Sequence, residues 1–593
     1  MTGLLGVDYT SQTTTLYQPF GYNVDGVIGD DVYGDKTIDD ENNRQVTLDM
    51  KANWQKDFMT NFNSAFVAGV QGFLTKVKYP GSFGYDFPGP GIAVTSAAGF
   101  QFAHDRVLET INGGYFAQEQ LGYKKFLYVT GGARYDYSSA FGKSADGVLY
   151  PKFSVSFVPS DIGGFKLPTI SALRLRAAWG QSGRQPSAFA KFTTFAAQTG
   201  PAGAGLQPDN LGNPDLKPEV ATEIEGGMEL GLFNDRVGFD ATYWKRRVDD
   251  LLFEVQYPPS GGFTNAQLTN VGTMDAHGLE LSMRGYVIQK PNTSLDLRAN
   301  IAFLSQKVTS LGGAPELKTG GSYARIRGYI KPGYAPGEFF GARALQACAG
   351  GKTTNCLQPG QLPYDLNKDG IPDTEAQMLD FLKDPQSYTS LFNGSVIMTE
   401  DGINSDLGKP TPDYTGSFGG TLTFAKNWQM GALFEFKGGN YTYWCLICGF
   451  RNASPVGTNS RVFQNINATL LNPASTPEQR LQAAKDWVYK AASLTPYQGL
   501  NETSPGDFLR FRELQLTFNA PRNIAGKVGA RSMAFTLSGR NLWLWTKYQG
   551  VDPEVSYTGG GGQSGVDENF VESIDAFGFP VARRIGFSVR LGF

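Results

Sequence analysis

The run DLNKDGIPD sets Asp365, Asn367, Asp369 and Asp373 at alternate positions, with the Ile371 carbonyl between the last two and Gly370 where a sharp turn is needed. Carboxylate, amide and carbonyl oxygens spaced in this way are hard donors and suit a calcium ion. The acidic residue that closes an EF-hand at its twelfth position is missing, because Ala376 stands there. The pattern therefore predicts a single-loop calcium site that ends at its ninth residue or borrows a ligand, with the structural role of ordering a long loop. The same residues also suit a plain hydrogen-bonded turn. Four cysteines, Cys348, Cys356, Cys445 and Cys448, fall in two close pairs. In an oxidising compartment they predict the disulfides Cys348–Cys356 and Cys445–Cys448; zinc is the weaker rival, since the C-x-x-C has no second C-x-x-C.

No catalytic constellation emerges, and the chain reads as a non-enzyme. His104 and His277 are the only histidines, and neither is grouped with a nucleophile. AGGKTT lacks the first glycine of a phosphate loop, with Gln346 in its place. Lys and Arg number 52 against 55 Asp and Glu, with no basic tract, which excludes nucleic acid as a partner. No apolar run reaches the roughly 18 residues of a membrane-crossing helix. That leaves a membrane β-barrel open, because its strands show only alternation. The N-terminus has no basic start followed by an apolar stretch, so no signal peptide is read there; the chain is expected to stay inside or to be a mature or truncated form.

The elements that must carry these residues are strands. The 593 residues include 74 Gly and 32 Pro, and 13% are aromatic, which disfavours helices and suits many strands and turns. Leu295, Leu297, Ala299, Ile301 and Phe303 alternate with Asp296, Arg298 and Asn300; Ile585, Phe587, Val589, Leu591 and Phe593 alternate with Gly586, Ser588, Arg590 and Gly592. Each segment thus has one apolar and one wet face. Several hold the pattern over nine or more residues, the length a tilted membrane strand needs. Sixteen strands are expected near 1–11, 45–56, 61–78, 100–118, 124–138, 150–158, 170–180, 218–232, 236–252, 275–289, 294–307, 412–425, 428–438, 508–518, 531–541 and 582–593. Short links such as Phe233–Asp235, Lys290–Thr293, Lys426–Asn427, Leu121–Tyr123 and Asp57–Thr60 alternate with long ones such as 181–217, 253–274, 308–411, 439–507 and 542–581. Such alternation marks an all-β, transmembrane antiparallel β-barrel with long extracellular loops. Within one of those loops 476–493 reads as a helix, capped by Thr476 or Ser475, with Leu481, Ala484, Trp487 and Val488 on one stripe.

Four stretches, GNPDLKPE (212–219), NVGTMDAHGLELS (270–282), GRNLWLWTKYQGVDPEV (539–555) and the terminal GFSVRLGF, with GKPTPDYTGSFGGTL (408–422) more weakly, resemble the C-terminal half of SusC/RagA-type TonB-dependent outer-membrane receptors. The resemblance implies a bacterial outer-membrane location, a 22-stranded barrel plugged by an N-terminal domain, import energised through the TonB complex, a SusD-like surface lipoprotein as partner, and oligosaccharides or peptides as cargo. This chain shows no recognisable plug and about 16 strands. It is therefore expected to be the barrel portion of such a receptor, with 308–411 and 439–507 as large extracellular loops. The alternative is a passive or structural surface barrel that binds a partner through its loops. Phe587, Val589, Leu591 and the carboxyl-terminal Phe593 resemble the signal read by the barrel-insertion machinery, in contact with outer-membrane lipid. Tyr441, Tyr443, Trp444, Trp543 and Trp545 suit either sugar stacking or a membrane-interface girdle, the latter favoured for the two tryptophans of 543–545.

Overall fold

The computed structural model describes residues 1–21, 33–143, 145–165, 167–200, 203–255, 258–263, 265–319, 328–350, 353–384, 395–399, 405–443, 461–492, 503–548, 550–556, 573–575 and 579–593. The chain divides into two compact units. One comprises Met1–Phe165, Arg174–Gly226 and Val248–Asn270; the other comprises Lys166–Leu173, Gly227–Arg247 and Val271–Phe593. Strands Ile170–Arg184, Glu219–Leu232 and Val237–Asp249 contribute residues to both.

In the first unit Thr2–Gln18 pairs antiparallel with Asp35–Met59, which pairs with Phe62–Lys78, and the ladder continues through Val107–Tyr123, Leu127–Ser138 and Val148–Phe157 to Ile170–Arg184. Two passes are interrupted. Phe62–Lys78 resumes as Gly81–Tyr85 beyond Pro80, and Phe100–His104 leads into Val107–Tyr123. Proline has no N–H to donate to a ladder, so a break falls there; the Pro80 carbonyl still accepts from Asp40 N, and Tyr79 and Arg106 exchange both backbone bonds across the gap. In the second unit Thr273–Lys290, Thr293–Ser310, Tyr414–Phe424, Trp428–Gly438, Phe508–Ala520, Ser532–Thr546 and Arg584–Gly592 pair in succession, each antiparallel to the next.

All sixteen expected strands are present. Several are longer than their alternation suggested: 1–11 runs on to Gln18, and 45–56 extends to Asp35–Met59. Leu121–Tyr123, read as a turn, is the end of a strand, and the turn follows at 124–126. The short links turn tightly. Phe233, Asn234 and Asp235 are all left-handed (φ 55°, 57°, 61°), as are Ala425 and Lys426. Left-handed residues are the means by which a short hairpin reverses within the twist of its strands.

Alternation puts the apolar set on one face. Phe418 stacks on Phe434 at 4.9 Å between ring centres, and Phe434 on Phe511 at 4.5 Å, each pair directly opposite in register. Trp543 and Trp545 fall on the same face, opposite Phe511 and Leu509, and are 57% and 47% exposed. They continue the aromatic row of Phe418, Phe434 and Phe511 on the apolar face. Ile585, Phe587, Val589, Leu591 and Phe593 are likewise all exposed, and Phe587 stacks on Phe535.

The two longest links build a small core of their own. The helix Pro477–Ala492 starts at Thr476, whose hydroxyl accepts from Gln479 N while the Gln479 side chain accepts from Thr476 N. This is a capping box. Its stripe of Leu481, Ala484, Trp487 and Val488 is buried with Ile466 and Leu470 of the helix Arg461–Leu471, Met378 of the helix Glu375–Phe381, and Leu366 and Val396 from the other link. Full burial of a side chain such as Leu481 or Val488 contributes about 1.5–3 kcal/mol. The helix 375–381 has too few residues to show a clear period; the helix 461–471 does carry an apolar stripe, with Ile466 and Leu470 four apart, which the sequence reading missed.

On the expectation that the apolar face is the one that meets lipid, Phe418→Arg should cost about 2–4 kcal/mol in denaturant unfolding from lipid vesicles. Thr421→Arg, on the opposite face of the same strand, should cost far less.

Candidate functional site

A cavity of about 560 Å³ opens on the polar face of the second unit. Register explains it. Ser282, Asn300, Ser417, Glu435 and Arg510 are successive partners across five strands and form one transverse row. Glu280, Ala302, Thr415, Lys437 and Phe508 form the row beside it. Ser282 and Ser417 in the first row and Ala302 and Thr415 in the second are small, while Glu280 at one end and Glu435, Lys437, Arg510 and Phe508 at the other are large, so the wall is hollow between them. Asp240 also lines the cavity, with Leu281, Ile301, Gly416 and Phe436 between the rows; Arg510 lies just beyond it.

The flanks are positioned by particular contacts. Gly278 leaves no Cβ where one would lie 2.7 Å from the Trp244 ring, so the indole crosses the strand there. The Trp244 Nε1–H then donates to Glu280 Oε1 at 3.2 Å. Asn300 Oδ1 accepts from both Ser417 N (2.9 Å) and Ser417 Oγ (3.3 Å), which ties the floor of the hollow across two strands. Lys437 lies over the Phe508 ring at 5.5 Å and donates to the Pro553 carbonyl at 3.4 Å.

Beyond that flank a link folds back onto the wall. Arg510, 3% exposed, donates to Asp552 Oδ1 at 2.6 Å, and its Nε lies 2.5 Å from Glu554 Oε2 in an ionic contact. Asp552 also accepts from Glu554 N and Val581 N. Arg512 bridges Glu435 (2.6 Å), Glu554 (2.7 Å) and Asn541 (3.0 Å). Two guanidiniums thus face three carboxylates, and each buried charge has partners, as burial requires. Tyr548 donates to the buried Asp575 at 2.6 Å, and burial together with that carboxylate holds its phenol well above the usual range. The VDPEV stretch carries the two carboxylates of this lock; sequence reasoning noted the stretch but not its arginine partners, which lie about forty residues upstream.

The residues singled out for chemistry stand as follows. Asp365 and Asp373 are 2% and 3% exposed. Asp365 accepts from Lys368 N and Gly370 N, Asp369 from Ile371 N, and Asp373 from Leu366 N; Asn367 accepts from Asp369 N and donates to its carboxylate. Each carboxylate therefore stabilises the turn itself, and the turn leads into Thr374, which caps the helix Glu375–Phe381 with Gln377. Among the described residues no group of three or more His, Cys, Asp or Glu is placed to hold a metal. Cys348 and Cys356 form the expected disulfide, with Cα atoms 4.8 Å apart. Cys445, Cys448 and Trp444 lie outside the described residues. His104 is exposed beside Asp39, and His277 pairs in register with Ser305.

Glu338 was not anticipated. It is 8% exposed, accepts from Ala335 N at 2.8 Å, and sits where Glu338–Gly341 pairs with Ser405–Gly408. Burial, with the charge of Asp406, pushes its carboxyl up to about 7, against the opposing effects of the Ala335 N–H and Lys409.

The antiparallel sheet with alternating faces, tight turns at one set of links and long insertions at the other defines a membrane β-barrel. The family model for the TonB dependent receptor-like β-barrel matches residues 2–479, and the chain belongs to that family. It is an outer-membrane protein. TonB-dependent receptor P3 of Formosa agariphila is 25% identical over 457 residues, covering 74% of this chain and 42% of the relative. TonB-dependent receptor SusC of Bacteroides thetaiotaomicron is 24% identical over 464 residues, covering 74% of this chain and 40% of the relative. The chain thus spans less than half the length of these two relatives. The solved structure of the RagAB peptide transporter superposes with a TM-score of 0.73 at 19% identity, covering all of this chain and 60% of that one, and shows the same fold.

Truncating Asp552 to Ala leaves Arg510 buried without its main partner, and should lower stability by about 3–5 kcal/mol in a denaturant titration. Protonated Glu338 is the favoured form in the fold, so its contribution is full below the unfolded value of 4.5 and is lost as pH rises towards about 7. The thermal midpoint should accordingly fall between pH 4.5 and 7, and Glu338→Gln should flatten that part of the profile.

Proposed function

We propose that this chain is the barrel portion of a TonB-dependent importer that takes up an oligosaccharide or a peptide across the outer membrane, and that the hollow between the two luminal rows is part of the passage. The hollow carries the reading: hydroxyls, an amide and carboxylates are set on a wall braced by ladders, with the Lys437–Phe508 flank at its edge. Such groups hydrogen-bond a polar cargo without holding it in a closed pocket. In this reading the links 308–411 and 439–507 face outwards, a SusD-like lipoprotein covers that side, and the plug and TonB contacts belong to parts of the receptor beyond those matched here. The outward alternation of Phe587, Val589, Leu591 and Phe593 serves as the assembly signal. The role is transport rather than catalysis.

The test is uptake of labelled oligosaccharides or peptides by cells expressing the full-length receptor. Ser417→Trp, which fills the hollow, should reduce uptake at least tenfold while leaving the amount of receptor in the outer membrane unchanged. Equal uptake with and without a working TonB complex would instead mark a passive barrel. We further propose that DLNKDGIPD takes calcium, with Asp365, Asn367, Asp369, the Ile371 carbonyl and Asp373 as ligands after they release their backbone N–H partners. Calorimetry showing no heat with calcium, and loop proteolysis unaffected by a chelator, would overturn this.

A further inference from the structure

The row Glu280, Ala302, Thr415, Lys437, Phe508 carries one charge of each sign. Only Ala302 and Thr415 stand between Glu280 and Lys437, and both are small. The two charged residues lie three strand spacings apart, about 14 Å between backbones. Each head also leans away from the other. Glu280 turns towards Trp244, whose Nε1–H donates to Oε1 at 3.2 Å. Lys437 turns towards Phe508, lies over its ring at 5.5 Å, and donates to the Pro553 carbonyl at 3.4 Å. Both residues nevertheless line the same cavity of about 560 Å³.

These contacts fix where the heads stand, and neither contact cancels the charge of its head. Glu435, the acidic residue nearest Lys437 in the lining, accepts from Arg512 at 2.6 Å. At the far end Asp240, on the strand that runs beside Thr273–Lys290, lines the cavity with Glu280. The hollow is therefore acidic at one end and basic at the other. Its middle offers hydrogen bonds without charge. Asn300 Oδ1 accepts from Ser417, which leaves Nδ2 to donate, and Ser282 and Thr415 add hydroxyls. A ligand that answers every part of this wall has a cation at one end, an anion at the other and amide-like groups between. An extended peptide advances about 3.3–3.6 Å per residue, so about four residues, with a hydrogen bond at each end, cover the span. A neutral sugar chain would meet the middle and leave both charged ends unanswered.

Resting on the transport reading above, we propose that this row selects short peptides by their two termini. The terminal ammonium sits on Glu280, the terminal carboxylate on Lys437, and the chain lies across the strands over Ala302 and Thr415. Two polar groups at fixed separation on a concave wall orient a ligand and measure its length. Trp244 and Phe508 act through the charged heads that they hold in place.

Calorimetry on the purified full-length receptor tests this with tetra-alanine, its N-acetylated and C-amidated forms, and cellotetraose as a neutral chain. Tetra-alanine should bind, and each cap should weaken it at least fivefold. The penalty for acetylation should vanish in Glu280→Gln and persist in Lys437→Met; the penalty for amidation should do the reverse. The proposal is overturned if tetra-alanine does not bind, if caps make no difference, if their penalties ignore these substitutions, or if cellotetraose binds as tightly. Its failure is distinct from failure of the transport reading. TonB-dependent uptake that Ser417→Trp blocks, in a receptor indifferent to the caps, keeps the passage and removes only the selection by termini. Should one charge variant fail to assemble in the membrane, the other variant and the capped peptides on the unaltered receptor remain decisive.

Discussion

A strand that crosses lipid has no water to satisfy its backbone, so every N–H and C=O must be met by a neighbouring strand. That constraint governs this protein. It explains the long ladders, such as Asp35–Met59 against Phe62–Lys78 and Thr273–Lys290 against Thr293–Ser310, whose register shifts lie near the strand ends. It also explains why breaks are confined to places like Tyr79–Pro80, where carbonyls and amides on either side still find partners. Once the ladders are fixed, side chains have no choice of face, and function can be written only in what projects from the inner one.

The luminal hollow shows how this works. No backbone distortion creates it. Two register rows carry small residues such as Ser282, Ala302, Thr415 and Ser417 beside large, charged or aromatic ones, Glu280, Glu435, Lys437 and Phe508. The flanks are then immobilised by groups from elsewhere: Trp244 on Glu280, Pro553 on Lys437, and the two carboxylates of the Asp552–Glu554 stretch on Arg510 and Arg512. The hollow is thus rigid on its backbone and held at its edges by ion pairs, while its floor is tied by the Asn300–Ser417 bonds.

Much of the scaffold was legible in the residue order, because period-two alternation reports faces directly. Leu295 to Phe303 and Ile585 to Phe593 read as strands, and they are. The Pro477–Ala492 helix was legible for the same kind of reason, a stripe with a capping residue. The candidate site was not. Ser282, Asn300 and Ser417 lie far apart along the chain, carry no unusual chemistry singly, and become a row only through register. Glu338 was equally silent, since its environment depends on Asp406 and on burial beneath a link. The DLNKDGIPD run shows the converse. Its spacing suggested one role, and its oxygens are engaged by its own backbone in a turn that delivers a capped helix to the Trp487 core.

The hollow is cut by side-chain size, which has an evolutionary consequence. Changing Ser282, Ala302 or Thr415 alters neither the backbone ladders nor the apolar face, so the width of the hollow and the pairing of the strands can change separately. On the transport reading proposed above, a lineage can therefore re-bore this wall for a new cargo by single substitutions. The acid–arginine lock at the edge offers no such freedom, because its charges are buried and must change together. Diversification of this wall is expected to proceed through the small residues of the two rows, and to stop where the ion pairs begin.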